Sequence, residues 1–317
     1  MILFRLILIC FVTCFLSCKN AKPIITANAV AMNLTSGKIM RVENFPSKFV
    51  TSRHVDIWLP NDYSESKTYA VLYMHDGKML FDGTDTWNHQ EWGIDEAMST
   101  LVSSGIIRDV IVVGVWNVPE ERHADYFPQK AFDYLSESDK NTVLADAGKS
   151  QLSIAERFSA DNYLKFLVKE LKPFIDTTFS THSDLQNTFI AGSSMGGLIS
   201  MYAVCEYPEV FGGAACLSTH WPGVAPSENN PVPDAIFKYM NDHMPKADKH
   251  KMYFDYGTET LDTYYQKYAP RVDVLMVLKG YEKDDFKNLK FIGDAHDENS
   301  WQNRIDQPLT FLLSKYP

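Results

Sequence analysis

The chain has 317 residues and a formal net charge of −10, from 30 Lys and Arg residues against 40 Asp and Glu residues. Hydrophobic residues make up 45% of it, which excludes intrinsic disorder, because this much apolar surface offsets the entropy lost on ordering the chain. Nucleic acid is excluded as a partner, since phosphate contacts need clustered positive charge and this acidic chain has no runs of Lys or Arg.

The first predicted element is a secretory signal. Arg5 precedes a nearly unbroken apolar run over residues 6–16, shorter than the about 20 residues that a membrane-spanning helix needs. The Ser17-Cys18 pair resembles the cleavage site of bacterial lipoprotein signals, in which the cysteine becomes lipid-modified. We therefore expect loss of residues 1–17 and a secreted chain of charge −11, anchored to a membrane through Cys18 in the periplasm or at the cell surface. Plain secretion and a retained anchor are the alternatives.

Residues 18–36 show no sustained periodicity and predict a tether, followed by one domain over 37–317. Within that domain, short apolar runs rich in Val and Ile are typical of strands buried on both faces of a parallel sheet. The first two runs instead suit an antiparallel edge. The predicted strands are 38–42, 54–59, 69–74, 110–115, 188–191, 214–217, 252–256, 272–278 and 289–292.

Helical patterns separate most of these strands. Alternation of strand and helix predicts an α/β fold with a mostly parallel sheet and helices on both faces. The long connections 117–153 and 219–233 follow strands, which predicts that they wall a site. The predicted helices are 92–102, 160–174, 195–206, 233–244, 262–268 and 299–313, the last interrupted at Pro308.

The strongest motif is Gly-Ser-Ser-Met-Gly over residues 192–196, a G-x-S-x-G sequence between a predicted strand and a predicted helix. In that context the motif predicts a sharp turn that exposes its central serine, Ser194, as a nucleophile. Glycines on either side let strand and helix approach closely. The backbone N–H of Met195, at the start of the helix, would then face a developing oxyanion.

A nucleophilic serine needs a base, and in this arrangement the chain order is Ser, acid, His. His296 lies in a short loop between the last predicted strand and the last predicted helix, which favours it as the base. His220 follows another strand and is predicted to line the pocket. His243 and His250 lie in polar, solvated sequence.

The acid is predicted to follow the strand 252–256, where Asp262 and Glu259 are both candidates. Its task is to hold the imidazole tautomer and to stabilise the imidazolium. Asp262, at the start of a predicted helix, is favoured, although an N-cap is a common use of Asp. Glu259 stays open as the alternative.

A second oxyanion donor is expected after the strand 69–74, from the N–H of Gly77 or Lys78. His75 and Asp76 precede that glycine without a third ligand at a recognisable spacing, so we expect no metal there. No cofactor is needed for the predicted chemistry. The predicted substrate pocket comprises His75, Asp76, Trp116, Arg122, His220 and Trp221.

Aromatic side chains cluster in the predicted site loops. An aromatic wall suits a sugar ring or an aryl acyl group, and core packing explains the same residues equally well. Arg122 could bind a carboxylate or pair with its acidic sequence neighbours. Cys205 and Cys216 are expected to be buried thiols, with a disulfide as the alternative. The tryptophans concerned are Trp87, Trp92, Trp116, Trp221 and Trp301.

The chain resembles the putative-esterase family of α/β hydrolases, which includes feruloyl, acetylxylan and enterobactin esterases, S-formylglutathione hydrolase and mycolyltransferases. The resemblance covers about residues 50–315 and implies an α/β-hydrolase fold with a Ser–acid–His triad. Many relatives carry the acid at the position of Thr260 here, and some enterobactin-esterase relatives work with a weakened or absent acid. The matching residues are Trp58-Leu59-Pro60, the stretch 71–77, the elbow 192–197, and His296 with Trp301.

The resemblance implies hydrolysis of a carboxylic ester through an acyl-enzyme. A secreted, surface-tethered esterase is expected to remove feruloyl or acetyl groups from carbohydrate. The alternatives are a siderophore trilactone esterase, an acyltransferase, and a non-catalytic glycan-binding lipoprotein.

Overall fold

The apolar runs form strands in the computed structural model, which describes residues 25–149 and 158–315. The described strands make one sheet in the order β1-β2-β3-β5-β4-β6-β7-β8-β9. Pairing is antiparallel from β1 to β5 and parallel from β5 to β9. The strands are β1 (Asn28–Val30), β2 (Lys38–Phe45), β3 (Arg53–Leu59), β4 (Ala70–His75), β5 (Val110–Val115), β6 (Thr188–Ser193), β7 (Gly213–Leu217), β8 (Lys251–Tyr256) and β9 (Phe286–Lys290).

Helices cover both faces of this sheet, so the predicted α/β fold is confirmed. Val71 and Tyr73 of β4 face one apolar cluster, whereas Leu72 and Met74 face the other, as the period of two along a strand requires. The helices are α1 (Ile94–Ser103), α2 (Arg122–Tyr126), α3 (Glu137–Lys149), α4 (Ala160–Phe166), α5 (Lys172–Thr178), α6 (Met195–Glu206), α7 (Val232–His243), α8 (Ala269–Leu278), α9 (Glu298–Gln302) and α10 (Asp306–Leu313).

The strand predicted over 272–278 is wrong, because these residues belong to helix α8. Val272, Leu275 and Met276 are buried at the i, i+3, i+4 spacing of a helix. Val277 and Leu278 are 66% and 74% exposed, which a strand buried on both faces would not allow. A short apolar run does not distinguish these two periods, and tertiary packing decided between them.

Three elements near the C-terminus show further differences from the prediction. The helix predicted over 262–268 is a short 3₁₀ helix, Thr260–Tyr264, followed by turns. The last predicted helix breaks at 303–305 rather than at Pro308, because proline is tolerated in the first turn of α10. The strand predicted over 289–292 is β9, which begins earlier, at Phe286.

The predicted tether is structured over part of its length. Strand β1 pairs with β2, with Asn28 opposite Arg41. The backbone N–H of Thr35 donates to the Asp95 carboxylate of α1 at 2.7 Å. Backbone pairing therefore attaches a segment whose side chains carry no periodic pattern. The signal 1–17 and Cys18 lie outside the described residues.

Two further findings concern predictions made from composition. Cys205 and Cys216 are both buried and free, which agrees with the expected pair of thiols. No helix among the described residues is long and apolar enough to cross a membrane.

Candidate active site

Strand β6 and helix α6 meet in a tight turn at Ser194. Its backbone adopts φ 57° and ψ −121°, a strained conformation for a residue with a side chain. A Cβ on Gly192 would lie 2.8 Å from the carbonyl carbon of Gly196, so only glycine lets strand and helix approach this closely. The turn is held by the N–H of Ser194, which donates to the Leu217 carbonyl at 2.9 Å. It presents Ser194 at the N-terminus of α6.

His296 and Asp262 are hydrogen-bonded to each other. The distance from His296 Nδ1 to Asp262 Oδ1 is 2.6 Å, and the two side chains are 13% and 0% exposed. Burial raises the pKa of the Asp262 carboxyl, but hydrogen bonds from His296, Ser218 and the Gly257 N–H outweigh it, and the net pKa lies below its usual range. Asp262 is therefore held as a carboxylate beside the imidazole.

Glu259, the alternative acid, is exposed. Its carboxylate faces the Thr258 hydroxyl at 3.4 Å. Thr260, where many relatives carry the acid, accepts the backbone N–H of His296 on its hydroxyl oxygen at 2.8 Å. Of the two predicted acids, the structure brings Asp262 to His296, and Thr260 holds the loop that carries the histidine.

The loop after β4 passes beside the elbow. Asp76 adopts φ 56° and starts the 3₁₀ helix Gly77–Met79, and a Cβ on Gly77 would lie 2.5 Å from the Gly114 carbonyl carbon. The Cβ position of Gly196 lies 3.4 Å from His75 Cβ, which measures how closely loop and elbow pack. Met195 and Gly77 are thus the first residues of two adjacent helices, and N–H groups at a helix start lack intrahelical partners. Lys78 follows on the same helical turn.

Ser194 and His296 open into one cleft of about 730 Å³. Four of the five tryptophans singled out in the sequence line it, and Trp87 is 83% exposed at its edge. The cleft therefore combines an aromatic wall with charged groups. Its other lining residues are Asp76, Lys78, Met79, Trp92, Trp116, Asn117, Pro119, Arg122, Ser193, Glu298 and Trp301.

Arg122 pairs with Asp76, rather than with the acidic residues next to it in sequence. Its guanidinium donates to both carboxylate oxygens, at 2.8 and 2.7 Å, and Asn117 adds a third hydrogen bond at 2.6 Å. Burial raises the pKa of Asp76, but the charge and hydrogen bonds of Arg122 outweigh burial and lower it overall. The pair gives the cleft a fixed, oriented cation.

His75 and Trp221 do not line the cleft, which corrects their predicted pocket role. His75 is buried, with Nδ1 2.8 Å from the Tyr163 hydroxyl, and burial lowers its pKa to about 3. Trp221 stacks on Phe237 with ring centroids 4.9 Å apart. Trp221 therefore belongs to the apolar core, and His75 is a buried polar residue next to it in the fold's interior.

His220 is also buried beneath the cleft, and its predicted pocket role is corrected in the same way. Its Nε2 lies 3.0 Å from the Val224 carbonyl, which can only accept, so Nε2 carries the proton. Nδ1 then accepts from the Tyr265 hydroxyl at 2.6 Å. Burial raises the pKa of Tyr265, and the nearby Ser194 hydroxyl opposes that rise. Nothing in the sequence marks Tyr265 as a neighbour of Ser194.

Among the described residues, no group of three or more His, Cys, Asp or Glu side chains is arranged to hold a metal ion. The cleft offers a hydroxyl on a strained turn, a histidine–carboxylate pair and backbone N–H donors at helix starts. A serine on a strand–helix turn beside a histidine–carboxylate pair, carried by an α/β sheet, is the arrangement of the α/β hydrolases.

The family model described as "Putative esterase" matches residues 47–311, and the chain belongs to that family, as the motifs predicted. It is 26% identical over 172 residues to the uncharacterized protein YbbA of Bacillus subtilis, covering 54% of this chain and 58% of that protein. The chain thus spans less than two thirds of the length of this curated relative.

Solved structures show the same fold at low identity. A ferulic acid esterase of the anaerobic fungus Anaeromyces mucronatus superposes with a TM-score of 0.58 at 17% identity, over 90% of this chain and 93% of that chain. An enterobactin esterase of Shigella flexneri superposes with a TM-score of 0.61 at 15% identity, over 86% of this chain and 59% of that chain.

Proposed function

We propose that the protein is a serine carboxylic-ester hydrolase in which Ser194 is the nucleophile, His296 the base and Asp262 the acid. One observation carries the proposal. Ser194, on a strained strand–helix turn, shares a cleft with His296, and His296 Nδ1 lies 2.6 Å from the buried Asp262 carboxylate. Membership of an esterase family supports the same chemistry.

In the proposed reaction, the Ser194 hydroxyl attacks the ester carbonyl while His296 Nε2 takes its proton. The Asp262 carboxylate accepts the hydrogen bond from His296 Nδ1–H and stabilises the imidazolium that forms. The N–H of Met195 and that of Gly77 or Lys78 stabilise the oxyanion. His296 then protonates the leaving alcohol, and water activated by His296 hydrolyses the acyl-enzyme.

The decisive experiment is hydrolysis of p-nitrophenyl acetate by the wild type and by Ser194→Ala. We expect Ser194→Ala to lose at least about 10³-fold in kcat. Ser193→Ala is the matched control. Its kcat should stay within about tenfold of the wild type, because the substitution removes a neighbouring hydroxyl and leaves the nucleophile in place. Equal rates for the wild type and Ser194→Ala would refute the proposed function.

We further propose that the substrate is an acylated carbohydrate, with a feruloyl or acetyl group as the acyl part. The support is the cleft itself, with the exposed Trp87 at its edge and Trp92, Trp116 and Trp301 in its wall. Indole rings offer flat faces to sugar and aryl rings. A structural relative is named as a ferulic acid esterase.

A siderophore trilactone is the second candidate substrate. Its support is that another structural relative is named as an enterobactin esterase. Lys78 and Arg122 also line the cleft, although Arg122 is paired with the Asp76 carboxylate. Methyl ferulate, acetylated xylan and ferric enterobactin, compared by kcat/KM on one enzyme preparation, separate the two candidates. A preference for ferric enterobactin would replace the carbohydrate proposal.

We also propose that the chain is exported and anchored to a membrane through lipid-modified Cys18. Support comes from the Ser17-Cys18 site after the apolar run 6–16. The wild-type protein should fractionate with membranes, and Cys18→Ser should not be lipid-labelled. Labelling of both proteins to the same extent would contradict the anchor.

A further inference from the structure

A buried hydroxyl lies directly behind Asp262. Ser218, fully buried after strand β7, places its Oγ 2.6 Å from Asp262 Oδ2. The same oxygen lies 3.0 Å from Trp301 Nε1 and 2.9 Å from Arg304 Nη2. Indole and guanidinium nitrogens donate and cannot accept. Both lone pairs of Ser218 are therefore used, and its single proton points at Asp262.

The cation in this group is itself fixed. Arg304 is buried and contacts both oxygens of Asp255, at 3.0 and 3.2 Å, and donates to Asp294 at 2.8 Å. Asp255 also accepts the backbone N–H of Ser218 at 3.0 Å. One buried ion pair thus holds both the backbone and the side chain of Ser218.

The two oxygens of Asp262 are consequently divided between different partners. Oδ2 accepts from Ser218 Oγ and from the Gly257 N–H at 2.5 Å. Oδ1 is left for His296. Rotation of the Asp262 carboxylate would break the two hydrogen bonds to Oδ2. These bonds therefore fix the plane of the carboxylate.

We propose that Ser218, oriented by Arg304 and Trp301, is a positioning residue that fixes the Asp262 carboxylate toward His296. The inference rests on the proposed function, because positioning matters only if Asp262 and His296 act in the reaction. Ser218 touches neither substrate nor the reacting atoms, and its effect is exerted through Asp262.

The test begins with steady-state kinetics of Ser218→Ala on p-nitrophenyl acetate. We expect kcat to fall about tenfold, the effect of one hydrogen bond to a charged group, and KM to stay within about twofold, since no substrate contact changes. Ser218→Gly is the second variant, because the backbone there has φ 40°, which glycine accepts without strain. It removes the same hydroxyl and should show the same loss if Ser218→Ala folds poorly.

The matched control is Thr188→Val, which removes a buried hydroxyl that donates to the Asp184 carbonyl at 3.0 Å. That site lies at the opposite end of β6 from the elbow, and kcat should be unchanged. Thermal melts of all variants show whether loss of activity follows loss of fold.

A double-mutant cycle distinguishes positioning from a general structural role. If Ser218 acts through Asp262, the double variant Ser218→Ala/Asp262→Ala should have the kcat of Asp262→Ala alone. Multiplicative losses, or a Ser218→Ala enzyme as fast as the wild type, would overturn the inference. An active Ser194→Ala would instead overturn the proposed function, so the two failures are distinguishable.

Discussion

At the scale of single residues, the acid shows how a short stretch of sequence leaves a choice that geometry resolves. Asp262 and Glu259 are three positions apart, and both follow β8. Asp262 is buried and hydrogen-bonded to His296, while Glu259 is exposed. A carboxylate stabilises an imidazolium strongly only at short range and away from water, so these two side chains should contribute unequally.

Substitution of the two candidate acids tests this difference. Asp262→Ala should lower kcat by about 10²-fold or more, because the tautomer and the imidazolium both lose their partner. Glu259→Ala serves as the matched control and should stay within about twofold, as expected for an exposed carboxylate. Stopped-flow or steady-state release of p-nitrophenol measures both. The opposite order would assign the acid to Glu259.

Other residues of the site carry no mark in the sequence. Ser218, Tyr265 and Arg304 lie in ordinary surroundings of the chain, and 44 to 86 positions separate Ser218 from the acid, Trp301 and Arg304. Sequence motifs report local geometry, whereas these contacts depend on how distant loops pack. The same reason explains why the sequence predicts His220 in the pocket although its ring is buried.

At the scale of elements, the elbow and helix α8 gave opposite outcomes. The predicted bounds of α6 agree with the structure, because glycines and the serine at its start specify the turn locally. Helix α8 was predicted as a strand, because its Val and Leu residues suit either element when only seven residues are considered. Local signals determine an element where backbone conformation is constrained, and packing decides elsewhere.

The elbow therefore yields a stability prediction. Gly192→Ala places a methyl group 2.8 Å from the backbone of Gly196, which should destabilise the fold by about 1–3 kcal/mol, as overpacking does. The melting temperature and kcat should both fall. Gly83→Ala is the control, since its nearest neighbours lie at an ordinary 3.4 Å. Similar melting temperatures for the two variants would contradict a close strand–helix contact.

At the scale of the whole molecule, the segment before β2 is hydrogen-bonded to α1. Asp95 accepts the backbone N–H groups of Thr35 and Ser36 at 2.7 and 3.2 Å. Glu96 accepts the Thr35 hydroxyl at 2.5 Å. Burial, followed by a hydrogen bond with Glu96, raises the pKa of Asp95 to about 7. This carboxyl takes up a proton on folding, because its pKa in the unfolded chain is about 4.

The free energy of unfolding should therefore fall as the pH rises from about 4 to 7, with the loss complete above the folded pKa. Asp95→Asn keeps an acceptor for both N–H groups and cannot ionise. At pH 8 it should melt above the wild type, by about 2–4 °C for each kcal/mol of stability that the ionised Asp95 carboxylate costs. At about pH 3, below the unfolded pKa, the difference should vanish.

Calorimetry at the two pH values measures this effect. The exposed Asp133→Asn makes the same charge change and should melt like the wild type at both. An equal gain in melting temperature for Asp95→Asn at both pH values would mean that Asp95 does not change its ionisation between them, which would contradict its raised pKa.

The α/β class, the position of Ser194 and the loop of His296 can all be predicted from the sequence, because each depends on residues within a few positions of one another. The order of strands and helices follows from local periodicity, and the elbow follows from glycines at set spacing. The tertiary structure alone decided which carboxylate reaches His296, what orients that carboxylate, and which aromatic rings line the cleft. Those outcomes depend on burial and on contacts between loops far apart in the chain, which no local pattern encodes.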